Sequence, residues 1–138
     1  MNIIEATREW LRGSELIDKH NKFNAGFLGA TATEYSLSTT AESHRQDILG
    51  NDLCTCALTF SARMPYGAAL KENLSAADFF ASLSGWILRQ NRAHNYPNVA
   101  GYRVSEIRSS NAGIIVQAEP NTARYQIQIQ IDLEEVRS

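Results

Sequence analysis

The sequence predicts an α+β fold, a mainly antiparallel sheet of about five strands with two helices packed on one face, in the order α-β-β-α-β-β-β. Three observations predict it. Tyr125, Ile127, Ile129, Ile131 and Leu133 alternate with Gln126, Gln128, Gln130 and Asp132, the pattern of a strand with one buried face. The same alternation sets Cys54, Cys56, Leu58, Phe60 and Ala62 against Thr55, Thr59, Ser61 and Arg63. Between those runs, Phe79, Phe80, Leu83, Trp86 and Ile87 trace a broad apolar stripe at helical spacing.

The first element is a helix over residues 3–12. Ile3, Thr7, Trp10 and Leu11 share a face, Asn2 and Glu5 form a capping-box pattern, and Gly13 suits a left-handed stop. Leu16 and Ile17 are expected to fold back on the core. A strand follows over 27–38, where Thr33, Tyr35 and Leu37 alternate with Glu34, Ser36 and Ser38. Residues 39–52 are polar and read as a connection long enough to be functional or mobile, with Ile48 and Leu49 forming a short packed turn. The second strand centres on 54–63 and stops at Pro65 and Gly67. The second helix spans 76–92, capped by Ser75 and Asp78, with Arg89 and Arg92 suiting its C-terminal dipole. Three strands close the chain. They cover 102–107, then 114–118 after a turn at 109–113, then 125–133 after a turn at Glu119, Pro120 and Asn121.

The 138 residues suit one domain, 1–138, without repeats or low-complexity tracts. With 43% hydrophobic residues, a chain of this size buries about two-thirds of its unfolded surface and needs no disulfide or metal to fold. The net charge of −2 argues against a broad nucleic-acid-binding face, though not against a local basic patch. No apolar run approaches the roughly 20 residues that span a bilayer. Met1-Asn2-Ile3-Ile4-Glu5 lacks the basic and apolar regions of a signal peptide, so the cytoplasm is the expected site of synthesis.

The residues assign no catalytic, cofactor or metal site. Cys54 and Cys56 share one strand face and read as reduced, buried thiols, since no C-x-x-C or neighbouring His pair completes a metal set and an i,i+2 disulfide would be strained. His20, His44 and His94 fall in expected loops, and no nucleophile-elbow, metalloprotease or P-loop pattern is present. Glu34, Glu42, Asp47 and Asp52 read as solvated loop charge, though they could converge. Gly26 and Gly29 precede a strand rather than a helix, so they cradle no phosphate. Trp10 and Trp86 read as core. The glutamine face at 126–130 is either solvated or contacts an identical subunit, because Gln hydrogen-bonds across such a contact without burying charge.

Several segments together resemble one family. Residues 2–13, Asn-Ile-Ile-Glu-Ala-Thr-Arg-Glu-Trp-Leu-Arg-Gly, are similar to the opening of minor capsid or minor tail proteins from phages and prophages of Gram-positive bacteria, some of them labelled chloramphenicol resistance proteins. Leu16-Ile17-Asp18-Lys19, Phe23-Asn24, Phe27-Leu28-Gly29 and Ala32-Thr33-Glu34-Tyr35-Ser36 continue the resemblance. So do Phe60-Ser61-Ala62-Arg63 with Tyr66-Gly67, and Ala123-Arg124-Tyr125-Gln126-Ile127-Gln128. The sequence departs from the family at Ser14-Glu15, His20, Pro65 and Glu134-Glu135.

The resemblance implies a virion structural protein, and the element order resembles that of phage tail terminators. Those implications are a homo-oligomeric ring, a hexamer by analogy, that contacts the tail tube protein and a head-completion protein, with passing contact to DNA in the lumen and no membrane partner. A head–tail connector or minor capsid protein is the alternative. A small acyltransferase-like enzyme is the alternative from another class and requires one of the histidines beside a nucleophile or acid in a pocket. On the structural reading, Arg63, Gln126, Gln128 and Gln130 are candidates for subunit contact, and His44, Arg45 and Asp47 for contact with a partner or DNA. The expected location is the virion, at the tail or the head–tail junction.

Overall fold

The computed structural model describes residues 2–17, 23–25, 34–65, 70–118 and 122–136, with side chains at all of these except 65, 70–77, 111–118 and 122. Helix α1 (Ile3–Arg12) forms where its cap and apolar face dictate. Asn2 Oδ1 accepts from the Glu5 amide at 3.0 Å, and Ile3, Thr7, Trp10 and Leu11 are buried. Gly13 does not turn left-handed. It stays at φ −70°, its amide donates to Trp10 O, and an added Cβ would sit 3.2 Å from that oxygen. Close approach, not a positive φ, is what glycine provides there. Ile17 folds back and is buried.

Strand β1 (Phe23–Ala25) pairs parallel with β2 (Glu34–Gln46), and all other pairings are antiparallel. The remaining elements are β3 (Asp52–Pro65), α2 (Leu70–Arg92), β4 (Tyr102–Ala118) and β5 (Thr122–Glu135), and the sheet order is β1-β2-β3-β5-β4. The fold is therefore α+β, with a five-stranded, mostly antiparallel sheet and two helices, but the chain order is α-β-β-β-α-β-β.

Three expectations are corrected. Residues 39–46 are strand, not connection: β2 runs on to Gln46 and pairs with β3 along its length, and only 47–51 turn. Both faces of that stretch are exposed, so it shows no apolar alternation. The two strands expected over 102–118 are one, because 109–113 pass through the ladder as a register shift between Ser110 and Ile114 instead of reversing the chain. The second helix starts at Leu70, which places Ser75 and Asp78 inside it and not at its cap. The expected strand residues 27–33, the turn at 119–121, and His20, Gly26, Gly29, Tyr66 and Gly67 lie outside the described residues.

Both helices cover one face of the sheet. The rows across it are Leu37, Phe60, Ile127 and then Cys56, Ile131, Ile107, all buried. Phe60 is at the centre, with ring centroids of Phe23, Tyr35, Phe80 and Phe79 at 5.7, 5.7, 6.3 and 6.4 Å. Trp10 of α1 meets Trp86 of α2 at 4.7 Å, and the Trp10 indole N–H donates to Asn95 O. Trp10 belongs to the core, and Trp86 packs half-buried against it.

The opposite face is polar, yet one end of it is buried. Glu34, Ser36, Thr59, Ser61 and Arg63 are all under 9% exposed, with Glu34 directly across the ladder from Arg63. Asn24 Nδ2 donates to the Glu34 carboxylate at 3.0 Å.

Candidate functional site

The site is the outer half of the β2–β3 hairpin. Its geometry depends on one irregularity. The ladder slips between Thr39 and Ala41, leaving Thr40 as an extra residue whose hydroxyl donates to Ala57 O at 3.1 Å. A bulge of one residue exchanges the two faces of a strand. Before it, Tyr35 and Leu37 face the helices. After it, Glu42 and His44 take that face, paired with Cys56 and Cys54.

Six side chains meet there. The Cys54 and Cys56 sulfurs are 3.4 Å apart. His44 Nε2 lies 3.8 Å from Cys54 Sγ and 3.5 Å from Glu42 Oε2, while Glu42 Oε1 is 3.6 Å from Cys56 Sγ. His44 Nδ1 meets the Asp52 carboxylate at 2.8 Å, and the Tyr102 hydroxyl donates to the same carboxylate at 2.7 Å. Glu42, His44 and Cys54 are the one group of three or more metal-donor side chains that converges among the described residues.

The electrostatics follow from these contacts. The hydrogen bond to Asp52 raises the His44 imidazole above its usual value against an opposing desolvation, and Glu42 adds to the rise. The Tyr102 hydroxyl and then His44 lower Asp52. Tyr102, donating to that carboxylate, is pushed up to about 12. Burial is the main cause raising both thiols, Cys54 and Cys56.

A pH dependence follows for the metal-free chain. His44 has a raised folded-state pKa, so its contribution is complete below about 6.5 and is lost as pH rises through the folded value. Asp52 is lowered, so its contribution is present above its unfolded value and is lost as pH falls through the folded one. With a chelator present, the melting temperature of His44→Gln is expected to fall furthest below that of the native chain near neutral and mildly acidic pH. The gap should close toward about pH 9. A gap independent of pH in that range would contradict the pairing.

At the tip, Asp47 Oδ1 accepts from the Leu49 and Asn51 amides, both at 2.9 Å, and the Asp47 amide donates to Asn51 O. Gly50 closes the turn at φ 82°. Gly50→Ala is expected to cost about 1 kcal/mol, read by chemical denaturation, because the residue must keep a left-handed backbone. Ile48 and Leu49 do not pack as expected. They are 100% and 77% exposed, the most exposed large apolar side chains among the described residues.

The seven residues singled out in the sequence separate. His44 joins the cluster, on a strand and not in a loop. Asp47 is engaged in the turn. Arg45 is exposed and lies outside the cluster, on the other face of β2 from His44. Arg63 is 8% exposed within the single chain. Gln126, Gln128 and Gln130 are half-buried on the polar face, with Gln128 Oε1 accepting from the Thr59 hydroxyl at 3.2 Å. Tyr102 was missed. The signal for the rest lay in counting outward from the turn at 47–51, which pairs His44 with Cys54 and Glu42 with Cys56. His94 sits just past α2 at φ 55°, with its ring against Tyr96, away from the cluster.

No protein-family model matches this chain, and no curated protein matches it significantly.

Proposed function

We propose that the chain is a structural protein of a tailed-phage virion, a tail terminator or minor tail protein whose copies form a ring against the tail tube and head-completion proteins. The observation that carries the reading is the outer arm of β2, exposed from Thr39 to Gln46, which leads into a turn whose Ile48 and Leu49 are 100% and 77% exposed, the most exposed large apolar side chains among the described residues. Two adjacent, largely solvated aliphatic side chains on a tight turn favour a partner surface over chance exposure.

The sheet edges support it. Among the described residues, β1 covers β2 only at Tyr35, Ser36 and Leu37, and no strand pairs with the outer edge of β4. Asn91 and Tyr96 take up Ile107 N and Ser105 O on that edge, which leaves the rest of it unpaired by strand. One open edge at each side of a sheet allows head-to-tail contact between identical chains, which closes into a ring when the rotation permits. The resemblance of residues 2–13 and the later segments to phage minor tail and minor capsid proteins supplies the particle. The chain is made in the host cytoplasm and incorporated from there.

Labelling the protein in purified particles and imaging them by electron microscopy tests the reading. Label at the head–tail junction or tail end is expected. Label over the capsid shell would favour the minor capsid alternative, and no label in the particle would overturn the proposal.

An enzyme reading draws on Cys54, His44 and Asp52, which stand in the order of a nucleophile, base and orienting acid. Three features weigh against it. Cys54 is 2% exposed, burial raises its thiol, and two carboxylates favour the imidazolium form of His44, which accepts no proton. Alkylation of Cys54 by iodoacetamide is therefore expected to be slower than that of a free thiol peptide. Faster alkylation would favour the enzyme.

A further inference from the structure

We infer that Glu42, His44, Cys54 and Cys56 form a binding site for one tetrahedral, thiolate-preferring divalent metal ion of the zinc class. The inference is independent of the proposed function and rests on donor identity and spacing. Zinc–sulfur bonds of about 2.3 Å and zinc–nitrogen bonds of about 2.0 Å at tetrahedral angles place neighbouring donors about 3.3–3.8 Å apart. Five donor contacts here are close to that, with Glu42 turning Oε2 to His44 and Oε1 to the thiols. They are Cys54 Sγ to Cys56 Sγ at 3.4 Å, Cys54 Sγ to His44 Nε2 at 3.8 Å, His44 Nε2 to Glu42 Oε2 at 3.5 Å, Glu42 Oε1 to Cys56 Sγ at 3.6 Å and Glu42 Oε1 to Cys54 Sγ at 4.0 Å. Donor atoms of Glu42, His44 and Cys54 all lie within 4.8 Å of one another. Cys56, adjacent to two of them, supplies the fourth.

A second feature is one that metal-binding histidines share. Asp52 holds His44 Nδ1, which leaves Nε2 to face the thiols, and Tyr102 holds Asp52 in turn. A carboxylate behind the ligating imidazole fixes both its tautomer and its orientation. All four ligands lie on two strands locked in register, and the Thr40 bulge is what puts Glu42 and His44 on the side of the sulfurs. Glu42 and His44 are 41% and 44% exposed, so the ion enters from solvent over the rim while the thiols form the floor. Two thiol sulfurs with an imidazole favour zinc or cobalt(II) over magnesium or calcium, which take oxygen donors. On binding, each thiol releases its proton to solvent and the imidazolium does the same, so uptake weakens as pH falls.

The test uses the full chain, reduced and chelator-stripped, titrated calorimetrically with zinc chloride. One equivalent is expected to bind, with affinity reduced about 100-fold by Cys54→Ser and by His44→Gln, about 10-fold by Asp52→Asn, and not at all by Arg45→Ala. Cobalt(II) is expected to give a thiolate charge-transfer absorption that Cys54→Ser with Cys56→Ser abolishes, and zinc is expected to protect both cysteines from alkylation. His44 is exposed, so His44→Gln keeps the test meaningful should the cysteine variants unfold. No saturable one-equivalent uptake by the native chain would overturn the inference, as would uptake unaltered by His44→Gln.

Discussion

Phe60→Ala is expected to lower the unfolding free energy by about 3–5 kcal/mol, measured by urea denaturation monitored by circular dichroism. Phe60 is fully buried at the centre of the helix-covered face and touches rings from β1, β2 and α2. Its removal leaves a cavity that four aromatic neighbours cannot all collapse into, and it forfeits edge-to-face and stacked contacts beyond the area term. Total stabilities of single domains are about 5–15 kcal/mol, so this one change brings the chain close to its folding limit. A cost below about 1 kcal/mol would mean that the core is not organised around that ring.

The opposite result is expected at the hairpin tip. Ile48→Asp combined with Leu49→Asp should change the stability of the isolated chain by no more than about 0.5 kcal/mol, since neither side chain is packed. The same pair should weaken association between copies by at least about 3 kcal/mol, roughly 150-fold, because burying two aliphatic side chains in a contact is worth that much and adding charge opposes it. Equal association of the variant and native chains would remove the tip from the interface.

The two outcomes separate what the sequence makes legible from what it hides. Elements with one buried face were readable. β5, the inner part of β3 and α1 carry apolar residues at the period of their own structure, and burial reads that period out. The outer half of β2 was not readable, because Thr39 to Gln46 is exposed on both faces and has no periodicity to show. β4 concealed itself differently. Ser109, Ser110, Asn111 and Gly113 are turn formers, but a strand at the edge of a sheet absorbs them as an irregularity.

The cluster hid for a third reason. The alternation in β3 puts Cys54 and Cys56 on one face, and the sequence alone shows His44, Glu42 and Asp52 as polar residues near them. Extending the alternation of Tyr35 and Leu37 along β2 would have put Ala41 and Ser43 opposite the cysteines. The extra residue at Thr40 reverses that assignment, and no local pattern announces a bulge of this kind. Residue types were therefore legible, and their convergence follows from counting back from the turn at 47–51 but not from extending the alternation of Tyr35 and Leu37.

Association of identical chains is the central claim of the proposed function, and sedimentation velocity over about 1–300 µM addresses it most directly, because assembly by mass action must show in concentration dependence. The account predicts a reversible shift from monomer to a discrete closed species of several copies, lost in the Ile48→Asp, Leu49→Asp variant. A single monomeric boundary at every concentration would contradict it.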